Sequence, residues 1–235
     1  MKIEIWSDYV CPFCYIGKRR LEEALASTNL AGQVEVEFKA YQLDPTTPAT
    51  SEAPMLDGLA KKYGVSLDEA KNMMANVAEQ AKTVGLQYDV DGMKVANTFN
   101  AHRLAKLAAT EGKADAVSER LMQGSFLKGE ALGKEETLLN IAEEAGMSKE
   151  HVSAMLQSDE FAANVQQDIE EARQIGVQGV PFFVINRKYA ISGAQPAQAF
   201  AEALEKVAKE EGIQPKLQVL GSEGKGVCTD DQCEI

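Results

Sequence analysis

Strand-forming sequence is confined to the two ends of this 235-residue chain, and a long helix-forming block separates them. Residues 3–5 and 34–38 alternate apolar with polar side chains, as strands with one buried face do. Residues 182–185 and 189–191 are again typical of strands, and the short link 186–188 predicts a hairpin. This order predicts an α/β fold in which one sheet is interrupted by a large helical insertion.

The two ends of the chain each add a helix to this sheet. Pro12 suits the first position of a helix, since its missing N–H would have no partner there. Cys14, Gly17, Leu21 and Leu25 then fall on one helical face. The opening is therefore a βαβ unit with parallel strands and a right-handed crossover, and a further helix is predicted at 197–209.

The central block is predicted to be helical throughout. Ser66 and Glu69 form a capping box that marks a helix start. Further helices are predicted near 97–110, 114–127, 134–145, 148–157 and 159–175, with stops at Gly112, Gly146 and Gly176. These patterns divide the chain into a sheet domain at 1–42 and 177–212, a helical insertion at 43–176 and a flexible tail at 213–235.

The charge of the chain excludes several classes of partner. With 24 basic and 36 acidic residues the formal charge is −12, which repels nucleic acid and anionic lipid. No apolar run approaches the roughly 20 residues that span a bilayer. The N-terminus has no apolar stretch typical of a signal peptide, so we expect a cytoplasmic protein. In that compartment disulfides are usually transient and catalytic.

Two cysteines stand where the first strand gives way to the first helix, in Cys11-Pro12-Phe13-Cys14. A thiol at a helix N-terminus lies at the positive end of the helix dipole, which favours the thiolate. Cys14 follows one turn later on the same side. This pattern indicates dithiol chemistry in which Cys11 attacks and Cys14 resolves. Two packed thiols, a static disulfide or half of a zinc site are the alternatives.

Val180-Pro181 precedes the third strand, where a proline must lie at a strand start or an edge. The local sequence favours a trans bond, because trans is far commoner before proline. A cis bond would leave the Val180 backbone free to pair with an extended peptide beside the cysteines.

Three motifs together resemble the DsbA-like branch of the thioredoxin superfamily. They are residues 7–15 around the cysteines, residues 97–104 (Asn-Thr-Phe-Asn-Ala-His-Arg-Leu) and residues 179–183 (Gly-Val-Pro-Phe-Phe). In detail they are similar to its FrnE-type subgroup. The resemblance implies a thioredoxin-like fold with an all-helical insertion, Cys11 as nucleophile, Cys14 as resolver and Pro181 as a cis-proline facing them.

The resemblance also implies contacts and a direction of exchange. Pro12, Phe13 and Val180 are expected to contact the client, together with His102, although a structural histidine on a helix face is the alternative for His102. The founding periplasmic oxidases carry a histidine where this chain has Phe13. Its loss should destabilise the thiolate and make the disulfide less oxidising, which suits a reductant or isomerase.

Kappa-class glutathione transferases and hydroxychromene carboxylate isomerases resemble the same regions. Those enzymes use a serine in place of the nucleophilic cysteine, so the presence of both Cys11 and Cys14 favours disulfide exchange. A glutathione-dependent transferase or isomerase and a non-catalytic redox-sensitive binding protein are the alternatives. The clients expected are disulfide- or thiol-containing proteins or glutathione, with no cofactor and no metal.

A second pair, Cys228 and Cys233, lies in the Gly-rich tail. A mobile dithiol within reach of the first pair is predicted to exchange electrons with it. An incidental tail disulfide and a zinc site made by all four thiolates are the alternatives. Most methionines fall in the insertion, where they are expected to fill its core or to line an adaptable client groove.

Overall fold

The computed structural model describes residues 1–214 and, as backbone alone, residues 228–229 and 232–233. Four strands form a mixed sheet in the order β2-β1-β3-β4, with β1 at Lys2–Ser7, β2 at Glu35–Ala40, β3 at Phe182–Ile185 and β4 at Tyr189–Ser192. Within the described residues the helices are α1 (Pro12–Ser27), α2 (Met55–Tyr63), α3 (Leu67–Lys82), α4 (Phe99–Thr110), α5 (Ala114–Leu127), α6 (Glu135–Glu144), α7 (Lys149–Leu156), α8 (Ala162–Gln174) and α9 (Ala197–Glu211). This architecture confirms the predicted fold class.

Strand β1 is the centre of the sheet. It pairs in parallel with β2, from Lys2 opposite Glu35 to Ser7 opposite Ala40, as the predicted βαβ unit requires. On its other side it pairs antiparallel with β3, which continues into β4 through a tight turn. The link has three residues, since Ile185 pairs with Tyr189. Asn186 and Arg187 in it both have positive φ, and the Lys188 N–H donates to the Ile185 carbonyl at 3.0 Å.

Helices cover both faces of this sheet. Alternate residues of β1, Ile3 and Ile5, pack with Phe183 and Phe200 against α1 and α9. The opposite face presents Trp6, which is fully buried with Ala172 of α8. Alternation along one strand therefore supplies two separate apolar layers.

Helix α8 lies within the predicted insertion but packs on the sheet. The indole N–H of Trp6 donates to the backbone carbonyl of Asp168, at 2.9 Å. The Asp168 carboxylate accepts from the backbone N–H of Ala40, at 2.8 Å, and pairs with Lys106 of α4. One residue of α8 thus connects β1, β2 and the helical region.

The predicted helices of the insertion are present, with ends within three residues of those expected. Ser66 and Glu69 make the capping box at the start of α3. Gly112, Gly146 and Gly176 follow α4, α6 and α8, respectively, and each has the left-handed conformation that ends a helix. Helix α2 had no prediction of its own, because nine residues after a Pro-rich loop carry only a short periodic pattern.

Two further features concern the chain as a whole. No helix among residues 1–214 is long and apolar enough to cross a membrane. In the tail, the backbone forms β5 (Cys228–Thr229) and β6 (Gln232–Cys233), an antiparallel pair in which Cys228 is opposite Cys233.

Glu119 of α5 fastens the insertion to α1. Its carboxylate accepts from the Tyr15 hydroxyl at 2.6 Å and from the Lys18 ammonium at 3.0 Å, and it also pairs with Arg19. Burial alone would raise the pKa of Glu119, but these donors outweigh it and lower that pKa to about 2.

We expect Glu119→Gln to lower the free energy of unfolding at neutral pH by about 1–3 kcal/mol, because hydrogen bonds to a charged group are lost. The folded carboxyl titrates near 2 and an ordinary one near 4.5, so the stabilisation is present above 4.5 and disappears as the pH falls toward 2. Urea unfolding at several pH values measures the difference. The exposed Glu202→Gln on α9 is the control, and an equal loss there would contradict the prediction.

Candidate active site

The active-site turn begins where β1 ends at Ser7. The backbone N–H of Cys11 donates to the carbonyl of Asp8 at 3.1 Å, and Cys11 is the N-cap of α1, with Pro12 as the first helical residue. Both thiols are free, and Cys11 is 5% exposed. The Cys11 sulfur therefore lies at the positive end of the helix dipole, as the sequence indicated.

Cys14 lies one turn deeper and is 2% exposed. Burial raises the pKa of the Cys14 thiol well above its usual range, and the neighbouring Cys11 sulfur raises it further. The Ser7 hydroxyl and the Asp8 backbone N–H oppose this shift without cancelling it. Cys14 consequently keeps its proton near neutral pH, and the two thiols of the motif differ in their surroundings.

The Val180–Pro181 bond is cis, so the trans bond favoured by local sequence is wrong and the cis bond implied by the resemblance is correct. Pro181 is buried against α1, a contact that no local pattern contains. A Cβ at Gly17 would lie 3.0 Å from Pro181 Cγ, so a larger residue there would require Pro181 to shift. The Cys11 thiol donates to the Val180 carbonyl at 3.4 Å.

Tyr88 is a site residue that the sequence did not reveal. Its hydroxyl donates to the carbonyl of Pro12 at 2.6 Å, and its ring packs beside those of Tyr15 and Phe126. Burial raises the pKa of Tyr88, and negative charge on Cys11 raises it further, so the hydroxyl remains a donor. A single tyrosine in a loop, 76 residues from its partner, carries no sequence signal.

His102 lies behind the active-site turn and does not line a groove. It is 4% exposed, with Nε2 at 2.9 Å from the Tyr41 carbonyl and 3.4 Å from Asp8 Oδ1. Because a carbonyl only accepts, Nε2 carries the proton. The backbone N–H of Leu43 donates to the other Asp8 oxygen at 2.7 Å. These contacts hold the turn to residues 41–43, so the placement favours the structural alternative over client contact.

A groove of about 1150 Å³ opens between the active-site turn, the loop after β2 and helices α2 and α3. Cys11, Pro12 and Phe13 form one wall, and Phe13 is 36% exposed. Met55, Met73 and Met74 line the opposite side, so some methionines do line a groove beside the cysteines. The structure thus brings together the predicted residues of the Cys11–Cys14 motif and Val180–Pro181, while His102 lies elsewhere.

The side chains of Cys228 and Cys233 lie outside the described residues, so their predicted exchange with the first pair stays a prediction. The zinc alternative that uses all four thiols has the same status. Among residues 1–214, no three His, Cys, Asp or Glu side chains are grouped as a metal ion would require.

The fold and the paired thiols define a thioredoxin-type protein of the DsbA class. The DSBA-like thioredoxin domain model matches residues 2–205, and the chain belongs to this family of thiol-disulfide oxidoreductases. YwbO of Bacillus subtilis (strain 168) is 27% identical over 206 residues, which cover 86% of this chain and 94% of YwbO.

Solved structures of relatives have the same fold. The crystal structure of a probable DsbA oxidoreductase from Streptomyces coelicolor is 36% identical, with a TM-score of 0.84 over 100% of this chain and 99% of that one. The cytosolic disulfide reductase DsbM of Pseudomonas aeruginosa is 16% identical, with a TM-score of 0.63 over 89% of this chain and 100% of that one, and shares the fold alone.

The raised pKa of Cys14 can be measured directly by titration. In a variant with Cys11, Cys228 and Cys233 replaced by serine, Cys14 is the single thiol. Burial persists there, so we expect it to ionise above the usual 9.0. An NMR titration of isotope-labelled cysteine measures this pKa. The same chain unfolded in urea is the control, and an equal pKa in both states would contradict the expectation.

The role of His102 is tested by His102→Phe, which keeps an aromatic ring beside Tyr9 but removes the N–H that donates to the Tyr41 carbonyl and lies 3.4 Å from Asp8 Oδ1. We expect a loss of about 1–3 kcal/mol in unfolding free energy, because the Tyr41 carbonyl loses its donor. Urea unfolding measures it, with the exposed His151→Gln as control. Unchanged stability together with a raised KM for a disulfide peptide would instead support client contact by His102.

Proposed function

We propose that this protein is a thiol-disulfide oxidoreductase that exchanges disulfides with protein or small-molecule clients through Cys11 and Cys14. The observation that carries the proposal is the asymmetry of the two thiols. Cys11 caps a helix and lines an open groove, whereas Cys14 is buried behind it with a raised pKa. A thiol that meets the client and a protonated thiol held in reserve are what the two successive exchange steps require.

In the first step the Cys11 thiolate attacks one sulfur of the client disulfide. The client S–S bond breaks, a Cys11–client disulfide forms, and the other client sulfur leaves as a thiolate. The Val180 carbonyl, which accepts from the Cys11 thiol, lies where an extended client strand would run. Pro12 and Phe13 on the groove wall would contact the residues beside the client cysteine.

In the second step Cys14 loses its proton and attacks the Cys11 sulfur. The mixed disulfide breaks, the Cys11–Cys14 disulfide forms, and the second client sulfur leaves as a thiolate. Two electrons have then passed from the protein to the client. The proton of Cys14 is released to the departing thiolate or to water, and the high pKa of Cys14 makes this step faster as the pH rises.

A reductive or isomerising direction agrees best with Phe13 between the cysteines, because no histidine there stabilises the thiolate. Return to the dithiol form requires a thiol reductant, for which glutathione is the candidate, and the exchange requires no cofactor. DsbM, which shares the fold, is a cytosolic reductase, and one of its structures contains glutathione. Because DsbM is cytosolic, we propose a cytoplasmic location for this chain as well. A reduction potential near the approximately −120 mV of DsbA would contradict this direction.

The tail pair Cys228 and Cys233 is proposed to pass electrons to or from Cys11 and Cys14. Its two cysteines oppose each other on the paired strands β5 and β6, as partners in one exchanging pair would. If the relay operates, Cys228→Ser with Cys233→Ser slows turnover with a thiol reductant while the first client attack is unaffected. Unchanged turnover would remove the relay and leave the main proposal intact.

The main proposal is tested by reduction of a peptide that contains one disulfide, with glutathione as reductant. We expect Cys11→Ser to lower turnover at least about a thousandfold, because the nucleophile is lost. Cys14→Ser should instead accumulate the Cys11–client disulfide, which intact mass detects. Ser125→Ala, a buried residue of similar size outside the site, is the control for effects on folding.

The alternatives predict different results from the same proteins. A glutathione transferase of the kappa type predicts that Cys11→Ser still conjugates glutathione to an electrophile, since those enzymes use serine at this position. A binding protein predicts that Cys11→Ala keeps its full biological effect. Either result, with no mixed disulfide in Cys14→Ser, would overturn the proposal.

A further inference from the structure

Lys61 and Lys62 lie side by side at the end of α2 in this acidic protein. The net charge is −12, and most lysines among residues 1–214 lie within ion-pair distance of a carboxylate. In that part of the chain no carboxylate forms a salt bridge with Lys61 or Lys62, although both are exposed. Two adjacent cations without an ion-paired carboxylate therefore lie at this helix end, where the Lys62 ammonium is 5.9 Å from the centre of the Tyr63 ring. Lys94, Lys206 and Lys209 also have no salt bridge among residues 1–214, but they do not line the groove.

Both lysines line the groove that contains Cys11. The groove lining includes apolar side chains such as Phe13, Leu59 and Met74, together with a smaller number of polar ones. Asp44 is the one acidic residue among the described residues that line the groove, and its carboxylate oxygens already accept hydrogen bonds from Thr46 and Thr47. The same groove is thus lined by a thiol, by apolar side chains and by two lysines.

We propose that this groove selects clients in which acidic side chains lie near the cysteine and an apolar residue lies beside it. The proposal rests on the oxidoreductase function above and names the class of client that the same site prefers. Client carboxylates would pair with Lys61 and Lys62 while the apolar residue packs on Phe13 and the methionines. Opposite charges across an interface speed the encounter of the two partners and fix their register. We therefore expect the preference for acidic clients as a higher kcat/KM.

The volume of the groove favours a peptide segment over a small molecule. Pockets for small ligands hold about 300–1000 Å³, so this groove of about 1150 Å³ leaves room for a peptide segment. Methionine side chains adapt to varied apolar partners, as a surface that accepts several client sequences needs. An extended acidic segment of a protein is therefore the occupant that we infer, and oxidised glutathione is the competing one.

A helix-terminal role alone would also place lysines here, since cations in the last turn offset the helix dipole. Lys209 occupies the corresponding position at the end of α9, and Lys206 lies one turn earlier; neither lines the groove. Lys206→Gln with Lys209→Gln therefore removes the same charge from a comparable helix end. This pair of substitutions is the matched control.

The experiment compares three disulfide-containing peptides that share one apolar sequence and differ at two positions, as Glu, Gln or Lys. Reduction of each is followed with the wild-type protein, Lys61→Gln/Lys62→Gln, Lys61→Glu/Lys62→Glu and the α9 control. We expect the wild type to reduce the Glu peptide about three- to tenfold faster than the Lys peptide in kcat/KM, and less so at high salt. The Lys61→Gln/Lys62→Gln variant should reduce the Glu and Lys peptides at equal rates. The Lys61→Glu/Lys62→Glu variant should reduce the Lys peptide faster.

The α9 control should keep the wild-type ratio. Equal rates for all three peptides, or the same ratio in every variant, would overturn the proposal while the oxidoreductase function stands. Dependence on Lys61 and Lys62 with oxidised glutathione but not with the peptides would also overturn it in favour of the small disulfide. Failure of the wild type to reduce any peptide, with Cys11→Ser no slower, would instead overturn the proposed function itself.

Discussion

Every part of the site depends on the central position of β1. This strand is paired on both edges and buried on both faces, so its end at Ser7 is fixed more firmly than any loop could be. The turn that follows sets Cys11 at the helix N-terminus and places Ser7 and Asp8 beside Cys14. The two sulfurs therefore differ in their surroundings, because Cys11 borders the groove and Cys14 is buried behind it.

The helical region contributes a surface and a set of supports. Helices α2 and α3 form the far wall of the groove, while Tyr88, His102 and Glu119 each contact the first βαβ unit from behind or from the side. Cys11 and Cys14 belong to the same apolar cluster as the core of the insertion, so the two thiols and the insertion share one packed interior. The insertion therefore shapes both the environment of the thiols and the groove beside them.

Short-range patterns were enough to predict most of this fold. Alternation located the strands, a capping box located the start of α3, and the cysteine motif at a strand-helix junction indicated its own chemistry. The features that the sequence did not predict depend on contacts between distant segments. Tyr88 contacts Pro12, His102 contacts Tyr41, and Pro181 packs on Gly17. The cis bond illustrates the difference, because local statistics favoured trans and only the family resemblance implied the observed isomer.

The attachment of α8 limits how such a protein can be divided. Residues 43–176 look separable along the chain, yet removing them as a unit would uncover Trp6 and the sheet face around it and would leave the Ala40 N–H without its carboxylate. The exchangeable part ends before α8. Any replacement of α2–α7 must also keep the contacts that Tyr88, His102 and Glu119 make with the active-site region. Helix α8 must be inherited together with the sheet that it covers.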